Sequence, residues 1–69
     1  MPSSAIRHFH YRAEKRELEV VFTTGRRYLY VDVPPLVDQA FRVAESKGRF
    51  FNERIRDRYR FRELAPAAR

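Results

Sequence analysis

A pair of prolines, Pro34-Pro35, divides the chain into two parts in which apolar side chains are spaced differently. Before the pair, apolar and polar residues alternate with a period of two, which is typical of half-buried strands. After it, apolar residues recur at helical spacing. A residue that precedes proline is pushed out of the helical region, so a helix begins at Pro35 at the earliest. We therefore predict an α+β domain with an antiparallel sheet of at least three strands and one main helix packed on it.

The part before the prolines contains a β-hairpin over residues 18–33. Leu18, Val20 and Phe22 share one face of its first strand. The turn is Thr24-Gly25, because glycine adopts a positive φ without a steric clash. An earlier strand is indicated over residues 6–11, and a charged loop follows it. These segments supply the three strands of the predicted sheet.

The part after the prolines begins with an amphipathic helix that carries one apolar stripe. The stripe consists of Leu36, Val37, Ala40, Phe41 and Ala44. Gly48 is expected to end this helix, and Ser46 is suited to cap a second, short helix over roughly residues 49–57. We expect an extended segment or edge strand after it, because aromatic and basic residues alternate over residues 58–62. Of the aromatic and aliphatic residues in this region, we assign to the core Phe51, Ile55, Tyr59 and Phe61.

Length and composition limit the classes to which this chain can belong. With 69 residues it is one domain at most, and without cysteine it has no disulfide or thiolate metal site. No apolar run reaches transmembrane length, and the N-terminus lacks the apolar core of a signal peptide. We expect disordered ends at residues 1–5 and 64–69 around a single domain at 6–63. A cytoplasmic protein without membrane association is expected.

Positive charge is concentrated near the C-terminus. The chain has a net charge of +6, and residues 46–62 carry seven Lys or Arg against two acids, Glu53 and Asp57. Such a region is typical of a surface that binds phosphates, although an arginine-rich composition also arises from biased base composition of a genome. We predict nucleic-acid contacts from this region and from two tyrosines. The predicted site residues are Lys47, Arg49, Asn52, Arg56, Arg60, Tyr28 and Tyr30.

Tyr28 and Tyr30 have two interpretations. They are suited to stack on unpaired bases, as aromatic residues on a sheet do in RNA-binding modules. They are equally suited to be the core face of the sheet under the helix. Leu29, Val31 and Val33 on the other face also favour burial, and one helix cannot cover both faces. Because tyrosine has a polar tip, we predict that the tyrosine face is the partly exposed one.

No arrangement of residues predicts catalysis. His8 and His10 share one face of a strand and are interpreted as solvent-facing rather than as a metal pair, since no third ligand is near in sequence. Ser46-Lys47-Gly48 fits a helix cap better than a phosphate-binding turn, because the rest of a Walker motif is missing. We predict no enzyme activity, no catalytic residues, no metal and no cofactor.

The chain resembles the KTSC domain, a short module found at the C-terminus of some lysyl-tRNA synthetases and as a single-domain bacterial protein. The resemblance covers residues 6–61. It is carried by Tyr28-Leu29-Tyr30, by Val33-Pro34, by residues 46–52 (SKGRFFN), and by Ile55-Arg56 and Tyr59. Two positions depart from the pattern. Asp38 stands where an aromatic residue is expected, and Arg60 where proline is frequent.

The resemblance implies a small domain whose function is not established, with RNA binding suggested by the attachment to a synthetase. We therefore expect a non-catalytic module that binds RNA or another single-stranded nucleic acid. The alternative is a protein-interaction adaptor that binds an acidic protein, or a homodimer that pairs through its basic face or an open sheet edge. A monomer is favoured over a homodimer.

Overall fold

The structure is a computed structural model that describes residues 5–65. Four strands form one antiparallel sheet, and helices cover one of its faces. The strands are β1 (Ile6–Arg12), β2 (Glu17–Phe22), β3 (Arg27–Tyr30) and β4 (Phe61–Leu64), and they lie in this order across the sheet. The helices are α1 (Pro35–Val43) and α2 (Lys47–Phe50), and α2 continues directly into a π-helix (Phe51–Ile55). The predicted α+β fold is confirmed.

The register of the strands decides which side chains face the helices. Leu18 lies opposite Tyr30 and Val20 opposite Tyr28, while Phe9 of β1 lies opposite Val20. Residues that are directly opposite in a sheet point to the same face, so these five side chains lie together under the helices. The core consists of Leu18, Val20, Tyr30, Val33, Phe41, Phe51 and Ile55. The prediction that Val33 shares the face of Leu29 is wrong, because β3 ends at Tyr30 and Asp32, with a φ of +58°, interrupts the alternation.

The β2–β3 hairpin has the turn that the sequence predicts. Gly25 has a φ of +96° and donates its backbone N–H to the carbonyl of Phe22 at 2.8 Å. A side chain at this φ would be strained, which explains why glycine occupies the position. The hairpin brings Arg26, the residue just before β3, close to α2 and the π-helix.

The rotation of α1 about its axis differs from the predicted stripe. The helix begins at Pro35, as predicted, but its fully buried residue is Phe41, whereas Leu36 is 75% exposed. The ring of Phe41 lies between those of Phe9 and Phe50, with centroid distances of 3.9 and 5.3 Å. This stack fixes the rotation of α1, so Asp38 is turned inward and Leu36 outward.

The connection between the helices comes earlier than predicted. The helix α1 ends at Val43, and Gly48 lies inside α2, so the prediction that Gly48 ends the first helix is wrong. The ammonium group of Lys47 donates to the carbonyl oxygens of Arg42 and Ala44 at 3.0 and 2.7 Å, and thereby supplies donors to the last turn of α1. Ser46 caps α2 as predicted, accepting the backbone N–H of Arg49 at 3.2 Å.

The predictions for the segment after α2 are confirmed in part. Phe51 and Ile55 are buried, as predicted, in a π-helix that the N–H of Arg56 closes by donating to the carbonyl of Phe51 at 2.8 Å. The helix ends at Ile55, and Asp57, with a φ of +65°, lies in the turn that follows and redirects the chain towards β4. Phe61 is 53% exposed, so its assignment to the core is wrong. Its strand is at the edge of the sheet, where neighbours pack against it from one side only.

The predicted domain boundaries, at residues 6 and 63, stay a prediction, and the contacts of the sheet reach one residue on the outer side of each. The carbonyl of Ala5 accepts the N–H of Thr23 at 2.8 Å, and Leu64 lies in β4. Both residues are thus bound to the sheet, although we predicted disordered ends at 1–5 and 64–69. The remaining residues of those ends, 1–4 and 66–69, lie outside the described residues. Among residues 5–65, no helix has the length and apolar character needed to cross a membrane.

Candidate functional site

An open groove of about 880 Å³ lies between the hairpin end of the sheet, strand β4 and the segment formed by α2 and the π-helix. We call it the aromatic groove, because five rings line it. These rings are Phe22, Tyr28, Tyr30, Phe51 and Phe61. Its volume is within the range of about 300–1,000 Å³ that is usual for sites of small ligands.

The rings form a connected cluster with one exposed member. Phe61 lies 5.3 Å from Tyr30 and 5.5 Å from Tyr28, measured between ring centroids, and Phe51 lies 5.6 Å from Tyr30. Phe51 and Tyr30 are buried beneath it, whereas about half of Phe61 is exposed. A ring that is supported by neighbours and exposed on its outer side is suited to stack against a planar ligand.

Polar side chains from two elements line the rim of the aromatic groove. Arg49, Asn52 and Arg56 come from the α2 and π-helical segment, and Arg26 comes from the hairpin. The guanidinium of Arg56 donates to the side-chain oxygen of Asn52 at 3.2 Å. The five-residue π-helix places these two residues next to each other and next to the rings, an arrangement often found at functional sites.

The electrostatics of the aromatic groove combine both signs of charge. Its lining contains the three arginines and two carboxylates, Glu53 and Asp57. The guanidinium of Arg26 donates to the hydroxyl of Tyr28 at 3.5 Å and lies 3.8 Å from the carboxylate of Glu63, and these contacts raise its pKa. A ligand would therefore meet fixed cations together with acceptors that suit the amino groups of bases.

Burial raises the pKa of Tyr30 to about 12, so its phenol stays neutral over the physiological range. Tyr30 is 2% exposed, and the prediction that both tyrosines are partly exposed is wrong for this residue. Tyr28 is half-buried, as predicted. The prediction assumed that Leu29, on the opposite face, needs a helix to bury it, so that the tyrosine face would stay open. Leu29 is instead 5% exposed without a helix over it, because Glu19 and Arg62 flank it directly in the sheet.

The structure brings five of the seven predicted site residues to the aromatic groove. They are Arg49, Asn52, Arg56, Tyr28 and Tyr30. Lys47 does not line it, and its ammonium group is bonded to the end of α1. Arg60 precedes β4 and is exposed, but it does not line the groove either.

The aromatic groove also contains residues that the sequence interpretation missed. Arg26 and Phe22 come from the two sides of the hairpin turn, twenty or more positions before the basic segment. The alternation of β2 shows only that Phe22 shares a face with Leu18 and Val20. The contact with α2 depends on the tertiary fold, and no local signal predicts it.

The two histidines lie away from this site. His8 and His10 of β1 pair with Val21 and Glu19, on the face of the sheet that the helices leave open. Both are exposed, as predicted. Among residues 5–65, no three His, Cys, Asp or Glu side chains are grouped so that they could hold a metal ion.

Comparison with known proteins identifies relatives with the same architecture. A model of the KTSC domain family matches residues 2–59. The crystal structure of a KTSC domain protein from Yersinia pestis has a TM-score of 0.88 and 35% identity, and the alignment covers 94% of this chain and 92% of that one. An uncharacterized protein of Stutzerimonas stutzeri is 45% identical over 53 residues, which are 77% of this chain and 75% of the relative.

A longer protein contains a similar segment. The lysine–tRNA ligase of Nostoc punctiforme is 36% identical over 62 residues, which are 90% of this chain but only 11% of the ligase. This chain thus spans about a tenth of that enzyme. The family match covers most of the sequence, and the Yersinia pestis structure has the same fold over 94% of this chain. The chain belongs to the KTSC domain family.

Proposed function

We propose that this protein is a non-catalytic binding module that holds single-stranded nucleic acid, RNA in particular, in the aromatic groove. The observation that carries the proposal is the exposed ring of Phe61, supported by Tyr28 and Tyr30 and faced by a rim that contains Arg49, Asn52 and Arg56. Stacking rings next to arginines are the two elements with which proteins bind unpaired nucleotides.

The bases stack on the aromatic floor. Phe61 offers the largest exposed ring, and Tyr28 is half-buried beside it. Tyr30 supports both rings from below and does not contact a base itself. The amide of Asn52 and the carboxylates of Glu53 and Asp57 lie at the same groove, where they are able to bond the edges of a base.

The phosphates contact the arginines of the rim. Arg49 and Arg56 are both exposed, and they lie on the same side of the groove. With a net charge of +6, the whole chain attracts a polyanion at low salt. The lining itself has an excess of only one positive charge, so affinity depends on stacking as much as on phosphate contacts.

A relative supports RNA as the class of ligand. The Nostoc punctiforme protein with a similar segment is a lysine–tRNA ligase, an enzyme whose name states that it acts on a tRNA. A domain that strengthens RNA binding would be useful to such an enzyme. This support concerns the class of ligand and not a particular sequence.

Fluorescence anisotropy with a labelled single-stranded RNA, titrated at several salt concentrations, tests the proposal. Each phosphate contact with a single strand adds about 0.7 to the slope of log affinity against log salt. We expect Arg49→Ala and Arg56→Ala each to flatten this slope by about 0.7 and to leave the circular dichroism spectrum unchanged.

Arg62→Ala is the matched control. Arg62 belongs to the same basic segment but lies in β4 opposite Leu29, on the open face of the sheet. The Arg62→Ala variant should bind RNA with nearly the same slope of log affinity against log salt as the unchanged protein. The proposal is wrong if micromolar protein binds no RNA or DNA at low salt, or if Arg62→Ala has as large an effect as Arg56→Ala.

A further inference from the structure

A second groove lies on the other side of the α2 and π-helical segment and shares no residue with the aromatic groove. It has a volume of about 470 Å³ and lies between that segment and α1. Its lining consists of Leu36, Val37, Ala40, Phe50, Arg54, Arg58 and Tyr59. We call it the helix groove. Five of these seven side chains are apolar or aromatic, and the exposed surface of the groove is about half apolar and half polar.

Helix α1 has an apolar stripe that begins at this groove and extends beyond it, since Leu36 and Ala40 line the groove and Val43 does not. Leu36, Ala40 and Val43 are spaced i, i+4 and i+7, which places them on one side of the helix. Leu36 is 75% exposed and Val43 is 82% exposed. The opposite side of α1 already contributes Phe41 to the core. The helix therefore has two apolar sides, and one of them has no partner among residues 5–65.

The charges at the helix groove have one sign. Arg54 and Arg58 are exposed, and the lining contains no acidic side chain. The guanidinium carbon of Arg54 lies 5.6 Å from the centroid of the Phe50 ring, a cation–π contact that keeps its charge at the edge of the apolar surface.

We propose that the helix groove binds an amphipathic helical segment of another protein, with apolar side chains at i, i+3 or i+4, and i+7 and with carboxylates on its flanks. The apolar side chains pack against Leu36, Ala40 and Val43, and the carboxylates pair with Arg54 and Arg58. A second copy of this chain fits less well, because the net charge of +6 on each copy opposes association.

Nucleic acid also fits this surface less well than it fits the aromatic groove. The two rings of the helix groove, Phe50 and Tyr59, are only partly exposed, unlike Phe61. The exposed apolar side chains of this surface, Leu36 and Val43, offer neither a ring for stacking nor a hydrogen bond for a base edge. The proposal is thus independent of RNA binding, and each can fail without the other.

The test uses a fluorescein-labelled peptide of about 14 residues, or roughly four helical turns. The peptide carries leucines at i, i+4, i+7 and i+11 and glutamates at the flanking positions, and a matched peptide carries lysines instead of the glutamates. We expect micromolar binding of the glutamate peptide by anisotropy and binding of the lysine peptide that is weaker by about tenfold or more.

Variants locate the binding surface. The double variant Leu36→Ser/Val43→Ser should weaken binding of the glutamate peptide by about tenfold or more, since it removes both exposed anchors. It should keep its circular dichroism spectrum and its RNA affinity. Arg54→Ala and Arg58→Ala should weaken binding by a few fold and reduce its dependence on salt, whereas Arg62→Ala should change neither.

Three results would overturn the proposal. The first is equal binding of the glutamate and lysine peptides, and the second is unchanged binding by the double serine variant. The third is self-association of the unchanged protein in sedimentation equilibrium that the double variant abolishes, which would show that a second copy occupies the surface.

Discussion

Two groups of aromatic rings lie under the helices on the same face of the sheet, and they pack in opposite ways. Phe9, Phe41 and Phe50 form a stack of nearly parallel rings, with interplanar angles of 19° and 17°. We call it the closed stack. In the aromatic groove most pairs of rings are steeply inclined, at 58° to 86°, and Phe61 is half exposed.

The difference follows from what covers each group. The closed stack includes a ring from the sheet, one from α1 and one from α2, so Phe41 has a ring on both faces and is 0% exposed. The aromatic groove ends at β4, an edge strand of four residues. No residue of α1 lines it, so this helix does not cover its rings. The aromatic rings of this small domain thus include a fully covered ring, Phe41, in one group and a half-exposed ring, Phe61, in the other.

The largest expected effect is on the closed stack. Phe41→Ala should lower the free energy of unfolding by about 3–5 kcal/mol, because it leaves a cavity between two rings. In a domain of this size such a loss is comparable with the total stability. Urea titration followed by circular dichroism measures it. A midpoint close to that of the unchanged protein would show that the stack does not hold α1 on the sheet.

A smaller effect, and of another kind, is expected from Phe61→Ala. The ring is half exposed, so the free energy of unfolding should change by less than about 1 kcal/mol. If a base stacks on this ring, the free energy of RNA binding should become less favourable by about 1–3 kcal/mol. The dependence of the affinity on salt should stay the same, because no phosphate contact is lost. Loss of stability without loss of affinity would show that Phe61 completes the core and does not contact ligand.

Tyr30 should make stability depend on alkaline pH. Its pKa is raised by burial to about 12 in the folded protein, against about 10 in the unfolded chain. The unfolded chain therefore releases the proton first, and stability falls between about pH 10 and 12, by at most about 1.4 kcal/mol per pH unit. Tyr30→Phe should show a shallower decrease over that interval in denaturant titrations. Parallel curves for the two proteins would contradict this assignment.

The smallest effect is expected from the cap of α2. Ser46→Ala should lower the free energy of unfolding by about 1 kcal/mol, because the hydroxyl no longer accepts the N–H of Arg49. Ser46→Asp, which keeps an acceptor, is the matched control and should retain most of the stability. If both variants lose the same amount, the hydrogen bond is not the source of the effect.

Local signals in the sequence were sufficient for most of the secondary structure. Gly25 marks the hairpin turn, Pro35 the start of α1 and Ser46 the cap of α2, and each depends only on the residue and its immediate neighbours. The basic segment also indicated three residues of the groove rim, Arg49, Asn52 and Arg56.

The remaining features depend on contacts between distant segments. The rotation of α1 is set by the stack of Phe9 on Phe41, which joins residues 32 positions apart. Arg26 reaches the groove only because the hairpin and α2 lie side by side. The exposure of Phe61 depends on the edge position of its strand, and the periodicity of one segment contains none of this information.

The order of the strands has a further consequence, which concerns the time at which the aromatic groove forms. Strands β1, β2 and β3 pair with neighbours in the chain, but β4 pairs with β3 only after residues 31–60 have folded back. Closing so long a loop has an entropic cost, so β4 should dock late in folding. The same strand should open first in the native state, and its amides should exchange with deuterium faster than those of β2. One wall of the groove would then be the least protected part of the sheet, and bound ligand would slow its exchange.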